Sequence, residues 1–181
     1  RSFISQPDQS IFLLGGLPHE LGGSYFLQTE YGKKEGTCPD VNLASEKKVQ
    51  DFLIQQIEDG HVHAAHDIAE GGLLVALAEM FFENPNIGAS LSIGSKGKSN
   101  RLDALLFGES QGRVLIAVSK SESEGIIQSA GQNGLSIDPL GYSDSSGRLK
   151  LSVSGNEILD SSLNQLHKTW SESIPEKMNH S

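Results

Sequence analysis

The sequence predicts an α+β domain: a mostly antiparallel or mixed sheet covered by helices. Two observations predict it. Short apolar runs at residues 11–14, 62–65 and 113–118 have strand length and are bounded by glycine or polar residues. Stretches with apolar residues at helical spacing lie among them, yet the two kinds of element lack the regular alternation of a doubly wound fold. No internal repeat and no second domain is visible in the 181 residues.

The elements follow in order. Residues 11–14 (IFLL) stop at Gly15-Gly16 and read as a buried strand. Residues 17–31 carry Gly22-Gly23, and Ser24-Tyr-Phe-Leu-Gln fits either helix or strand. Residues 32–40, with Lys33, Lys34, Gly36 and Pro39, read as loop. A helix follows, capped by Asn42 or Ser45, with Val49, Phe52, Leu53, Ile54 and Ile57 at helical spacing. Gly60 is its natural stop. Residues 62–65 are the next strand. After Gly72 comes a helix that is apolar nearly all round (Leu73, Leu74, Ala76, Leu77, Ala78, Met80, Phe81), so it is expected to be buried on more than one face. Asn84-Pro85-Asn86 ends it.

Ile87, Ala89, Leu91 and Ile93 alternate with small or polar residues, which is strand periodicity. Residues 94–100 (GSKGKSN) read as a flexible loop with Lys96 and Lys98 solvated. Leu102, Leu105 and Leu106 predict a short helix, and residues 113–118 a buried strand. Residues 121–132 predict a helix opened by a Ser-x-x-Glu capping pattern (Ser121, Glu124), with Ile126 and Ile127 facing inward. Residues 135–137, 140–142 and 149–153 read as strands, the last two joined by the turn from Asp144 to Gly147. Residues 158–170 read as a closing helix with Leu159, Leu163, Leu166 and Trp170 on one stripe. The expected division is a linker at 1–10, a domain at 11–171 and a frayed tail at 172–181. The opening RSFISQPDQS reads as the interior of a longer chain. An excised domain is expected to leave an apolar patch and to form homodimers.

Composition narrows the function classes. Lys and Arg number 14 against 23 Asp and Glu, a net charge of −9, which argues against a nucleic-acid footprint. The single cysteine, Cys38, excludes an intrachain disulfide framework. No apolar run approaches the ~20 residues of a membrane span, and no signal peptide is visible. A cytoplasmic location is the default expectation.

Two segments carry candidate chemistry. The first is His66-Asp67-Ile-Ala-Glu70-Gly71-Gly72, a strand end running into a helix N-terminus. Free amides and the positive dipole end suit a phosphate there. Gly71 and Gly72 permit close approach, His66 can donate, and Asp67 or Glu70 can offer oxygen to magnesium. The plainer alternative has Asp67 capping the helix, Glu70 favourable in the first turn and the glycines serving packing. The second is Phe107-Gly108-Glu109-Ser110-Gln111-Gly112-Arg113. Glu109, Ser110 and Gln111 can read hydroxyls and amides of a small polar ligand, and Arg113 can pair with phosphate. Its alternative is a polar turn with an internal Glu109–Arg113 ion pair. Gly15-Gly16 and Gly22-Gly23 read as turns, with an anion nest as the alternative, but no Walker pattern follows. His61 and His63 share one strand face and lack a third metal ligand within sequence reach.

Two motifs in order, HDIAEGGLLVALAEM (66–80) and LLFGESQGRVLIAV (105–118), resemble the last domain of phosphoribosylformylglycinamidine synthase in its shorter bacterial form. GGLPHELGGSYF (15–26) and IGASLSI (87–93) fit the same pattern. Weaker versions belong to a wider superfamily that includes aminoimidazole ribonucleotide (AIR) synthetase, selenophosphate synthetase and thiamine-monophosphate kinase. The resemblance implies an AIR-synthase C-terminal-like fold with helices on both sides of the sheet, partly ferredoxin-like. It implies an ATP-dependent ligase: formylglycinamide ribonucleotide, glutamine-derived ammonia and ATP give the amidine, ADP and phosphate. ATP with magnesium would be cofactors of the whole enzyme. The other domains of the chain, a glutaminase subunit and a small subunit would be partners.

The resemblance also implies a limit. The family's chain holds two copies of a domain pair, and this sequence is similar to the second C-type copy. The catalytic histidine and the nucleotide and magnesium ligands lie in other domains, so no catalytic or metal-binding residue is expected here. Glu109, Ser110 and Gln111 match a triplet that contacts the ribonucleotide in the first copy. With His66, Asp67, Gly71, Gly72 and Arg113 they form the expected auxiliary phosphate or nucleotide set. The alternative is a scaffold domain, or a domain of another superfamily member.

Overall fold

The computed structural model describes residues 2–18, 20–94 and 101–179, with side chains to residue 173. His19 and the predicted loop positions 95–100, with Lys96 and Lys98, lie outside the described residues. The elements run β1 (Gln9–Leu14), α1 (Tyr25–Tyr31), α2 (Leu43–Glu58), β2 (Val62–Asp67), α3 (Gly72–Glu79), β3 (Gly88–Ile93) and α4 (Leu102–Phe107). There follow β4 (Val114–Ser119), a 3-10 turn (Lys120–Glu122), α5 (Ser123–Gln132), β5 (Ile137–Asp144), β6 (Arg148–Val153), β7 (Asn156–Ser162) and α6 (Leu163–Asn179).

The strands make one mixed sheet in the order β2-β4-β1-β5-β3-β6-β7. Only the β3–β6 pair is parallel; the other neighbours are antiparallel. β1 sits inside the sheet, and successive residues point to opposite faces. Ile11 and Leu13 enter a core formed with α3, α4 and the start of α6, around Leu73, Leu77, Phe81, Leu106 and Leu163. Phe12 and Leu14 enter a second core under α2 and α5, with Val49, Phe52, Ile126 and Ala130. A strand covered on both faces is apolar throughout, which is why IFLL reads as an unbroken run. The result is the expected α+β class, with helices on both sides of a mixed sheet.

The structure decides two alternatives that the pattern left open, and further elements depart from it. Residues 25–31 are helical, opened by Ser24, whose Oγ accepts from the Leu27 amide at 3.4 Å. Asn42, not Ser45, caps α2: its Oδ1 accepts from the Ser45 amide at 3.0 Å. No side-chain cap opens α5. The Ser121 hydroxyl lies 3.0 Å from that of Ser119 instead. Ile126 is buried, but Ile127 is 41% exposed because the stripe facing the sheet is one residue wide there.

Residues 137–144 form one strand where two were expected, with a register shift opposite Ile11 and Phe12. β5 and β6 do not pair with each other across the 144–147 turn, since β3 lies between them. The first part of the predicted closing helix is β7, which pairs with β6 and sets Leu159 opposite Leu151. The open edge of β6 supplies a ladder that helical periodicity cannot reveal, and the helix starts at Leu163. Both predicted margins carry structure. Ile4 is fully buried, with its amide donating to Met80 O at 2.8 Å, and α6 continues to Asn179. No helix among the described residues is long and apolar enough to cross a membrane.

Candidate functional site

The β2–α3 junction and the loop between α4 and β4 lie side by side. Gly71 and Gly72 both have positive φ, 81° and 71°, a region that glycine enters without steric cost. A Cβ on Gly72 would lie 2.7 Å from the backbone of Phe107, so this glycine lets α3 pack directly on α4. The Gly71 amide donates to Glu109 Oε1 at 2.9 Å. The same oxygen accepts from the Tyr25 amide at 3.0 Å. One carboxylate oxygen therefore meets the starts of two helices, α1 and α3, where free amides and the dipole favour negative charge.

Arg113 turns inward and is 4% exposed. Its Nε donates to Ser110 O at 3.0 Å and its Nη2 to Gly108 O at 2.6 Å. The guanidinium thus holds the loop by its own carbonyls, and no Glu109–Arg113 ion pair forms. Nη1 is buried with no hydrogen-bond partner. Burial pushes this side chain down to about 10, because the charged form loses hydration. Gln111 is exposed, with Nε2 3.5 Å from Glu109 O. It borders a cavity of about 340 Å³ with Gly15, Asn42, Ser45, Lys48 and Ser136.

Not all of the expected set converges. Gly71, Gly72 and Glu109 come together, and Ser110 and Arg113 brace their loop. His66 faces elsewhere: its Nδ1 lies 2.7 Å from Asp67 O and its Nε2 3.5 Å from Glu79. Asp67 and Glu70 are exposed. Among the described residues no three His, Cys, Asp or Glu side chains could hold a metal ion, so the donors present do not fit magnesium. The third neighbour of His61 and His63 is Glu122, distant in sequence. Glu122 Oε1 lies 2.7 Å from His61 Nδ1 and its Oε2 3.9 Å from His63 Nε2. His63 Nδ1 meets Gln9 Nε2 at 2.8 Å. The His61 bond and then the Ser119 hydroxyl hold the Glu122 carboxyl below its ordinary value. Sequence reasoning missed the Tyr25 amide, because a backbone donor leaves no residue-type signal. It also missed the Asn42, Ser45 and Lys48 wall, which only the packing of α2 brings near Gln111.

The family profile described as "AIR synthase related protein, C-terminal domain" matches residues 6–154. The phosphoribosylformylglycinamidine synthase subunit PurL of Moorella thermoacetica is 36% identical over 165 residues, 91% of this chain and 22% of the relative. That of Zymomonas mobilis is 38% identical over 177 residues, 94% of this chain and 22% of the relative. The chain thus spans under a quarter of the relatives it matches. Among solved structures, Thermotoga maritima PurL complexed with FGAR superposes with a TM-score of 0.75 at 21% identity, covering 92% of this chain and 29% of that one. Escherichia coli HypE, a hydrogenase maturation protein, gives 0.55 at 17% identity over 81% of this chain and 47% of that one. At such identities the likeness concerns the fold. With the profile spanning most of its length, the chain belongs to the AIR synthase related C-terminal domain family.

Proposed function

We propose that this chain serves as a non-catalytic C-terminal domain of a phosphoribosylformylglycinamidine synthase. The whole enzyme would convert formylglycinamide ribonucleotide, ammonia and ATP into the amidine, ADP and phosphate in the cytoplasm. The reading rests on the synthase subunits that match nearly the whole chain, and on one structural observation. Glu109 Oε1 takes the two helix-start amides of Tyr25 and Gly71. An anion site already filled by the chain's own carboxylate supports a structural role for this domain. ATP and magnesium would be held by other domains of the longer chain. Glutaminase and small subunits would complete the complex.

Gly71, Gly72 and Glu109, with Ser110 and Arg113 bracing their loop, are proposed as the remnant of an auxiliary phosphate site, from which His66, Asp67 and Gln111 stand apart. Within it Glu109 stands in for the anion. The test is a steady-state assay of the 181-residue chain with formylglycinamide ribonucleotide, ammonium and Mg-ATP. No amidine is expected, and turnover would refute the reading. In parallel, millimolar Mg-ADP is expected to leave the melting temperature unchanged, whereas a ligand at 100 times its dissociation constant would add about 2.7 kcal/mol. Tyr25, Tyr31, Val41 and Leu43 are exposed apolar side chains that another domain or a second copy would cover. Light scattering is expected to show a concentration-dependent dimer of the chain.

A further inference from the structure

We propose that the groove between α3 and α6 binds an organic cation carried on an apolar body. This proposal is independent of the reading above. Three rings meet at the groove: Phe82 lies 5.2 Å from His167 and 5.4 Å from Trp170 between centroids, and His167 lies 6.1 Å from Trp170. Phe82 is tilted 55° and 47° to the other two, while His167 and Trp170 lie within 23° of parallel. They line a cavity of about 330 Å³ together with Phe3, His66, Glu79 and Glu83. Ring faces carry negative quadrupole potential and attract a cation within about 6 Å of the centroid.

The charges agree with the rings. Glu79 and Glu83 both border the cavity, and among the described residues no Lys or Arg lines it. Among the described residues Glu79 has only His66, at 3.5 Å, as an ionic neighbour. Glu83 is exposed, with no ion-pair partner among the described residues. A neutral apolar occupant would leave these carboxylates facing it unpaired. A small inorganic cation would keep its water and gain little from the rings. Next to this cavity runs a second, of about 290 Å³, that shares Phe82 and Trp170 and is otherwise lined by side chains such as Leu74, Ala78, Leu159 and Leu166. A cationic head in the first space thus places an alkyl or aryl body in the second. His167 and Trp170 lie beyond residue 154, where the family match ends.

Trp170 is the chain's one tryptophan and is 55% exposed, so its fluorescence reports on the groove directly. The test is titration at pH 8 with hexyltrimethylammonium, with hexan-1-ol and tetramethylammonium as separate comparators. Saturable binding of hexyltrimethylammonium, with each comparator at least about tenfold weaker, is expected. Glu79→Gln and, separately, Phe82→Leu are expected to weaken the cation about threefold to thirtyfold. Glu79→Gln should leave hexan-1-ol unchanged, and it changes no buried apolar contact. A further titration with N-acetyl-leucyl-arginine amide distinguishes the source. Tighter binding than hexyltrimethylammonium assigns the site to a peptide's arginine, and weaker binding to a free organic cation. Hexan-1-ol binding as tightly as hexyltrimethylammonium, an unchanged cation affinity in Glu79→Gln, or no saturation by 10 mM hexyltrimethylammonium (about 3 kcal/mol or less of affinity) would each overturn the proposal.

Discussion

Replacing Glu109 by alanine removes the acceptor of two backbone amides, those of Tyr25 at 3.0 Å and Gly71 at 2.9 Å. Hydrogen bonds to a charged group contribute about 1.5–3 kcal/mol each, and the loss of a helix cap about 0.5–2. The Tyr25 bond is solvent-exposed and belongs at the low end; the Gly71 bond is part-buried. Water replaces part of both, so the expected loss for Glu109→Ala is about 2–3 kcal/mol. In a chain of this size that corresponds to a melting temperature lower by roughly 5–10 °C. Glu109→Gln keeps an acceptor oxygen and loses only the charge, so it should lose about 1 kcal/mol. Calorimetry with matched urea titrations measures both. A second readout separates this capping role from mere packing. The freed amides of Glu109→Ala can donate to an external anion, so 50 mM sulfate should raise its melting temperature by several degrees more than that of the native chain. General salting-out by sulfate acts equally on both and cancels in the difference. A Glu109→Ala protein that melts within 1 °C of the native chain, or gains nothing extra from sulfate, would refute the capping argument.

Other substitutions test neighbouring parts of the same arrangement. Gly72→Ala should cost about 2–4 kcal/mol by chemical denaturation, because positive φ and the 2.7 Å approach to Phe107 oppose a methyl group together. Arg113→Met should cost about 2–4 kcal/mol in the same assay by stranding the carbonyls of Gly108 and Ser110. Arg113→Lys should recover little of it, since one ammonium cannot reproduce the guanidinium's spread of donors. Glu122→Gln tests a pH effect. The depressed folded value of Glu122 contributes stability above its ordinary 4.5, and that stability is lost as pH falls through the folded value. With a third of the side chain exposed, the advantage of the native chain over Glu122→Gln should be about 0.5 kcal/mol near neutral pH, fading below about 4.5. Urea titrations at a series of pH values check it, and an advantage that grows in acid would reverse the sign of the argument.

Local patterns read well where one residue's neighbours lie within a turn or a strand pair. The runs in β1, β2 and β4, the apolar face of α3 and the β3 alternation all follow from burial that repeats with the backbone period; in α2 Val49, Phe52 and Leu53 turn inward, but Ile54 and Ile57, also expected on that face, are exposed. The reading failed where the deciding partner is distant in sequence. Residues 156–162 pair with β6 and become strand, although Leu159, Leu163, Leu166 and Trp170 recur at helical spacing. Leu159, Leu166 and Trp170 still border one groove, because the strand runs straight into the helix, while Leu163 turns into the core. Ser121 and Glu124 match a capping box, but the Ser119 hydroxyl engages both Ser121 and Glu122 and starts the chain turning early. At the candidate site the residue types Gly71, Gly72 and Glu109 were legible. Their mutual contact was not, since it joins loops 38 positions apart.

The geometry around Glu109 explains why a helix N-terminus with a glycine pair does not by itself identify a ligand site. Free amides need an acceptor, and the acceptor can be a bound anion or a side chain of the same chain. A bound anion leaves the amides dependent on ligand concentration, so the junction of β2, α1 and α3 would loosen when the ligand departs. A carboxylate on the neighbouring loop is always present. Arg113 keeps that loop in place by gripping its carbonyls from inside rather than by neutralising Glu109, which leaves the full negative charge for the two helix starts. A bound phosphate would bring a second anion to amides that Glu109 already serves, and the two would repel across a few ångströms. Glu109 must therefore swing away before such a ligand can bind. Restoring an anion site here takes removal of one carboxylate, not the addition of a cation, which is the outcome the sulfate comparison on Glu109→Ala detects.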